Sequence, residues 1–313
     1  MELKKLQELD VEIEQIVYSD QQILHSFFQE FKMTIEALEK DFTRKELISH
    51  IPKIRQVASD SPLLNRSQKW PKGYQGDFET IEHIISQENR ADPHTFAHAL
   101  EGFFLNSSIC QQHINKVKHQ SELISDTLTR NSYSRILSIG CGTSEDVRMN
   151  IHKIIGSNAE ITLVDFDRDS LHHSLAALEK VKEHIKIFQG NIYKIIKKIH
   201  GKFDLVMIGG VFDYLSDKMI INILSSLKEK MNEEGIIYFT NIKQHNPFRI
   251  YMEYLADWIL IERSHLEIQN LLIESRWNNF PATIQTDTTC LTYLVEIKHC
   301  VYNPVFSNFS AFI

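Results

Sequence analysis

Apolar positions divide the chain into two rhythms. Up to about residue 130 they recur at intervals of three and four, and Leu24, Phe27, Phe28, Phe31, Ile35 and Leu38 share one helical face. Thr43-Arg44-Lys45-Glu46 has the form of a capping box and predicts a second helix, which Pro52 ends or kinks. Asp92-Pro93 sets a capping side chain ahead of a proline at the first helical position, so a helix is predicted through Leu105. Another begins near Ser107 or Ser108 and runs towards Leu128. Between these helices the stretch Pro62 to Gly76, with Trp70, Pro71, Gly73 and Tyr74, shows no regular period.

From Arg135 the rhythm changes. RILSIG (135–140), ITLVD (161–165), IKIFQG (185–190), FDLVMIGG (203–210) and GIIYFTN (235–241) are short apolar runs ending in glycine, acid or amide. The intervening stretches 146–155, 168–183 and 217–231 have helical spacing. Strands alternating with helices predict a mostly parallel sheet covered on both faces. PATIQT (281–286) and LTYLVEIK (291–298) are separated by a few polar residues and predict a hairpin, hence an antiparallel strand at the sheet edge. The expected organisation is a helical region over 1–130 and an α/β domain over 131–313, with the boundary near Asn131 to Ser134.

Composition narrows the function classes. With 42% hydrophobic and 24% charged residues in 313, the chain has enough apolar surface to fold. A formal charge of −7, with Lys and Arg interleaved among Asp and Glu, argues against a nucleic-acid partner held through phosphates. No apolar run approaches the ~20 residues of a membrane-spanning helix. MELKKLQELD lacks the apolar core of a secretion signal, and Cys110, Cys141, Cys290 and Cys300 form no CxxC pair; both fit a cytoplasmic location. Oligomeric state is not readable.

Ile139-Gly140-Cys141-Gly142-Thr143-Ser144 stands where the first strand must turn into a helix. Glycines there let the backbone approach a ligand, and the helix start offers free N–H groups. A dinucleotide fingerprint wants a third glycine where this chain has Glu145, which suits a cofactor carrying an amine and a sulfonium, as S-adenosylmethionine (SAM) does. Asp165, ending ITLVD, is placed to accept from both ribose hydroxyls or to cap a helix on a solvated loop. Phe166 either lies on an adenine face or packs in the core. Asp167 lies within reach of the same edge, and Asn191 ends the third strand where an amide could read adenine.

ILSIGCGTSEDV, ITLVDFD, FQGN and FDLVMIGGVFDYL resemble, in order, the nucleotide-binding motifs of class I SAM-dependent methyltransferases. WPKGYQGDFETI (70–81), VFDYL (211–215) and NPFRIYMEYLADW (246–258) are similar to blocks of the bacterial family that makes 3-hydroxypalmitic acid methyl ester, a fatty-acid quorum signal. That family has forms close to GYxGDFE, GLFDYL and NPxRxxMEYxxDW; here Val211 precedes FDYL, and Ile261-Glu262-Arg263 stands where a tyrosine often precedes the arginine. The likeness runs from about Leu63 to Leu272. It implies a Rossmann-like methyltransferase core with an N-terminal helical lid, with SAM held by Tyr74, Gly140, Cys141, Gly142, Glu145, Asp165, Phe166, Asp167, Asn191 and Gly210. A small-molecule acceptor completes this reading, and secondary metabolism is the expected setting.

Methyl transfer from a sulfonium is an in-line displacement, so positioning and exclusion of water do most of the work. Tyr214 can face the sulfonium with its ring, and Asp213 can orient a donor, act as base, or cap the helix near Ser216. Arg249 suits a substrate carboxylate, or an ion pair with Glu253 four residues on. Tyr74 to Glu79 reads as a lid placing Tyr74 near the methionine end of SAM, or as a structural turn. His94 and His98 lie four apart but lack a third ligand, so no metal is expected. The leading function is SAM-dependent O-methylation of a small or fatty carboxylic acid, with Tyr74, Asp213, Tyr214 and Arg249 at the reacting centre. Its rival is attack on the aminocarboxypropyl side, by transfer or by cyclisation of SAM to azetidine-2-carboxylate, with release of methylthioadenosine. A non-catalytic SAM binder and a nicotinamide dehydrogenase fit the motifs less well.

Overall fold

The computed structural model describes residues 2–16 and 21–300. Seven strands form one sheet: β1 (Arg135–Ile139), β2 (Glu160–Asp165), β3 (Ile185–Gln189), β4 (Phe203–Ile208), β5 (Met231–Ile242), β6 (Ala282–Thr286) and β7 (Thr292–His299). Their order is β3-β2-β1-β4-β5-β7-β6. The first five run parallel; β7 pairs antiparallel with β5 on one side and with β6 on the other. The predicted hairpin is present, and its antiparallel strand lies one place in from the edge, with β6 outside it. This is a Rossmann-like sheet, mostly parallel as the strand pattern predicts and of the kind the family resemblance implies.

Burial on both faces explains the near-continuous apolar runs. Along β1, Leu137 and Ile139 enter one apolar cluster with Val206, Ile208 and Ile237, while Ile136 enters the opposite one with Ile161, Leu163 and Leu205. Register sets the working edge. Ile139 pairs with Val164 and Ser138 with Met207, so the loops after β1, β2 and β4 leave the sheet side by side.

A third cluster forms a helical roof. Leu24, Phe28, Phe31 and Ile35 of helix Gln21–Leu38 pack with Leu100 and Phe104 of helix Phe96–Leu105. Each such side chain contributes roughly 1.5–3 kcal/mol by leaving water. The roof also takes Ile250, Met252, Tyr254 and Leu255 from helix Arg249–Leu255, which follows β5. Phe28 meets Tyr251 edge to face, and Tyr251 Oη donates to the Phe28 carbonyl at 2.9 Å. Polar contacts seal the same junction, with Arg55 to Asp257 at 2.6 Å and Arg44 to Asp257.

Local expectations fare unevenly. The capping box at Thr43 and Glu46 is present and starts helix Arg44–Ile48. Pro52 does not end that helix; it opens the next, Pro52–Ala58, at the first position, where a missing N–H costs nothing. Pro62 does the same for Pro62–Lys69, capped by Ser61, within the stretch read as irregular. The helix expected after Asp92-Pro93 begins at Phe96, because Thr95 caps it by accepting from His98 N at 3.1 Å. Helix Ser108–Arg130 is as expected, two residues longer. Among the described residues no helix is long and apolar enough to cross a membrane, and no group of three His, Cys, Asp or Glu could hold a metal.

Candidate active site

The loops at the carboxyl ends of β1, β2 and β4 form the floor of the site. Gly140 has φ +64°, and a Cβ there would lie 2.3 Å from Val211 Cγ2, so both conformation and the neighbouring loop demand glycine. Gly142 has φ +54° and faces open space, since a Cβ built on it meets nothing within 4 Å. Its other side is fixed: its N–H donates to Asp165 Oδ2 at 3.1 Å, and its carbonyl accepts from Ser170 Oγ at 2.7 Å and Ser174 Oγ at 2.8 Å. An open, glycine-lined loop with a buried acid behind it is a cradle of the kind SAM fits. Cys141 is packed beneath this loop as a free thiol; burial raises its pKa, so it stays protonated and inert.

Asp165 is 7% exposed. Besides Gly142 N it accepts from Ser170 Oγ at 3.2 Å and from Asp167 N at 3.0 Å. Three of its four lone-pair directions are therefore used within the chain, and one is left for a ribose hydroxyl. Burial raises its pKa, against the pull of the two backbone N–H groups. Phe166 is 57% exposed, which removes the core-packing reading. Its ring stands edge to face with Tyr74 at 4.7 Å between centroids. Asn191 caps helix Ile192–Ile195 through its side-chain oxygen, accepting from Tyr193 N at 2.9 Å, which leaves its amide nitrogen and one lone pair of that oxygen for a ligand. Glu145 opens helix Glu145–Arg148 and is paired with Arg148 at 2.6 Å.

The block 72–79 lies across this floor. Tyr74 Oη donates to Asp167 Oδ2 at 3.0 Å, and Lys72 pairs with Asp169 at 2.5 Å. Burial and the Asp167 bond push the Tyr74 pKa up, keeping it a neutral donor. Gly76 has φ +63°, and a Cβ there would meet Tyr214 Oη at 2.5 Å and a Trp258 ring carbon at 2.6 Å. Trp258 Nε1 donates to Tyr214 Oη at 2.8 Å, and Gln75 exchanges two bonds with the backbone of Ile259. The strand-2 loop, the strand-4 loop and the segment after helix Arg249–Leu255 thus meet under one strap.

Asp213 lies in the turn Val211–Tyr214 and is buried. It does not cap the following helix, whose N-cap is Ser216; its Oδ1 accepts from Ile242 N at 2.7 Å. Burial raises its pKa, while Lys116 and Arg263 draw it back. Arg263, 2% exposed, holds the turn in place by donating to the carbonyls of Phe212 at 2.9 Å and Leu215 at 2.6 Å and to Asp217. Gly210, φ +91°, donates its N–H to Thr240 Oγ1 at 2.9 Å. Arg249 is not brought to this group. It pairs with Glu39 at 2.9 Å and with Glu253 at 3.3 Å, which realises the ion-pair alternative and adds a partner from the roof.

Sequence reasoning passed over one face of helix Ser108–Arg130. His113 stacks on Trp258 at 5.6 Å between centroids. Lys116 Nζ lies 3.7 Å from where a Gly210 Cβ would be. Gln120 packs on Gly209 and donates to Asp146 Oδ2 at 3.3 Å. Asp146 is buried, and burial lifts its pKa to about 6. The signal was a polar stripe at spacings of three and four, 113-116-120, on a helix whose apolar residues Ile109, Leu123 and Ile124 are buried.

Residues 137–237 match the model of a methyltransferase domain. Among solved structures, a "possible exported protein" of Bordetella parapertussis superposes with a TM-score of 0.64 at 13% identity, covering 79% of this chain and 86% of that one. Magnesium protoporphyrin IX methyltransferase of Synechocystis gives 0.49 at 8% identity over 76% and 97%, and the N-methyltransferase NodS of Bradyrhizobium japonicum 0.43 at 13% over 60% and 97%. No curated protein matches the sequence. Fold, glycine cradle and domain match agree: the chain carries a methyltransferase domain and is a SAM-dependent transferase.

Proposed function

We propose that this enzyme transfers the methyl group of SAM to the oxygen of a small carboxylic acid with a short apolar body. The observation that carries the reading is a cavity of about 40 Å³ behind Trp258 and His113, lined by Leu64, Ile84, Phe104 and Met252 among others. Trp258, one of its walls, donates to Tyr214 Oη. That volume holds roughly three water-sized groups, the bulk of a few carbon atoms. A short-chain acid fits it as it stands, whereas a long acyl chain needs the roof helices to part. The likeness to the quorum-signal family supports a carboxylate acceptor, and secondary metabolism with it.

SAM supplies an electrophilic methyl on a sulfonium, and a carboxylate is already ionised, so the protein has no proton to remove. Its residues position and exclude water. The Gly140–Gly142 loop and Asp165 would hold the nucleoside, Phe166 and Tyr74 would cover it, and the Tyr214 ring would offer its face to the positive sulfur. Asp213 holds the strand-5 backbone through Ile242 and so fixes the angle at which Tyr214 enters. The division into a helical lid over 1–130 and a SAM-binding domain over 131–313 belongs to the same proposal, amended by the share of the roof that follows β5.

The test is product identity. Purified enzyme is incubated with SAM alone and then with carboxylic acids of two to sixteen carbons, followed by mass spectrometry. S-adenosylhomocysteine and a methyl ester, best with short acids, are expected. Methylthioadenosine from SAM alone would overturn the reading in favour of attack on the aminocarboxypropyl side.

A further inference from the structure

Lys116 is 6% exposed and lies deep between the helical roof and the sheet edge. Among the described residues it makes no hydrogen bond or ion pair; the charges that act on it, Asp213 and Asp287, act at a distance. Only one of these carboxylates is fully engaged. Asp287 already accepts from Asn115 at 2.8 Å, Thr289 Oγ1 at 2.7 Å and the backbone N–H groups of Leu291 and Thr292. Asp213 spends Oδ1 on Ile242 N and shares the field of Arg263, while its Oδ2 faces the same point over Gly210 as Lys116 Nζ without reaching it. Burial lowers the pKa of this ammonium, and the two carboxylates at a distance offset that only in part. Such a group is retained where a ligand completes it.

Its direction is set by its helix. His113, Lys116 and Gln120 are three and seven residues apart along one face, reaching Trp258, Gly210 and Gly209 in turn. This places the ammonium above the end of β4, between the glycine cradle and the aromatic pair at the reacting edge. Because residue 210 is glycine, no side chain fills the point between Lys116 Nζ and Asp213 Oδ2, which would lie 3.7 and 4.0 Å from a Cβ there.

We propose that Lys116 anchors a carboxylate of the bound reactants over Gly210. Two carboxylates reach that place in a SAM-dependent transferase: the α-carboxylate of the cofactor's methionine end, and that of the acceptor. The second source rests on the acceptor class proposed above; the first does not. A point charge with three donors suits a carboxylate turned through a range of angles, where an arginine fork would fix one.

Lys116→Met, nearly isosteric and uncharged, separates the sources by calorimetric titration. The ligands are S-adenosylhomocysteine, its decarboxylated analogue S-adenosyl-3-thiopropylamine, and hexanoate against hexanamide in the presence of S-adenosylhomocysteine. A roughly ten- to hundredfold loss of S-adenosylhomocysteine affinity, with the decarboxylated analogue unaffected, assigns the cofactor carboxylate. A loss confined to hexanoate assigns the acceptor carboxylate. Equal effects on the charged and uncharged member of each pair, or none on any ligand, overturn the proposal. Lys116→Gln repeats the series, with thermal unfolding of both variants as the check on folding. Methylthioadenosine in the product assay would refute methyl transfer while leaving the cofactor arm of this test intact.

Discussion

Gly76 offers a stringent test of whether the strap 72–79 is packed on the site or merely passes over it. Gly73 and Gly76 both sit in the left-handed region, at φ +81° and +63°. Alanine at either position therefore incurs backbone strain of about 1–2 kcal/mol. Only Gly76 adds a collision. Its Cβ would lie 2.5 Å from Tyr214 Oη and 2.6 Å from a Trp258 ring carbon, whereas at Gly73 nothing stands within 4 Å. The Trp258 ring is held by its bond to Tyr214 and by His113, so it cannot yield freely, and forced overpacking costs a further ~1–3 kcal/mol. Gly76→Ala should thus cost about 2–5 kcal/mol in total and Gly73→Ala about 1–2. In a chain of this size each kcal/mol lowers Tm by roughly 2 °C. Differential scanning fluorimetry should place Gly76→Ala several degrees below Gly73→Ala, and titration with SAM should show weaker binding in the former alone. Equal Tm values for the two variants would refute the contact between strap, Tyr214 and Trp258, and with it the strap's role as a cover.

Asp165→Ala should weaken SAM binding by about 1–3 kcal/mol, because it removes both a ligand acceptor and the group that fixes Gly142; unchanged affinity in a calorimetric titration would sink its assignment. Tyr74→Phe should raise the Kd for SAM a few-fold with little change in Tm, since one part-exposed hydrogen bond to Asp167 is lost; equilibrium dialysis against labelled SAM would show it. Asp146 has a folded-state pKa of about 6, above its ordinary 3.8, so the folded protein takes up its proton first as pH falls. Stability of the native enzyme relative to Asp146→Asn should rise between about pH 7 and 4, by on the order of 3 kcal/mol, when urea unfolding is followed across that range; a flat difference would refute the burial argument. Arg263→Met leaves the Phe212 and Leu215 carbonyls and Asp217 without their donor and should cost ~3–5 kcal/mol in the same assay.

What the sequence disclosed was whatever its local chemistry decides. Runs such as ITLVD are buried on both faces and could only be central strands, and Gly140 is glycine because its backbone and Val211 leave no alternative. Thr43 and Glu46 satisfy one another within four residues. Prolines misled where the decisive group lay next to them: Ser61 caps Pro62–Lys69, and without that bond the stretch reads as irregular. The electrostatic content of the site was less legible, because it depends on partners far away in the chain. Arg249 was offered both a substrate and Glu253; Glu39, some two hundred residues earlier, takes its bidentate face. Lys116 reads as one more polar position on a long helix until β4 is laid against it.

The contribution of helix Arg249–Leu255 to the roof has a consequence for how the enzyme is made. Phe28 and Tyr251, in contact in the roof, are 223 residues apart. On a ribosome the helix Gln21–Leu38 emerges long before the side chains that complete its cover: Phe104 can meet Phe28 early, but Tyr251 follows only after the first five strands are synthesised. Contacts of such long range slow folding and lengthen the interval in which apolar surface is available for misassembly. The roof, and with it the cavity between Phe104 and Met252, is therefore complete only after helix Arg249–Leu255 has been made.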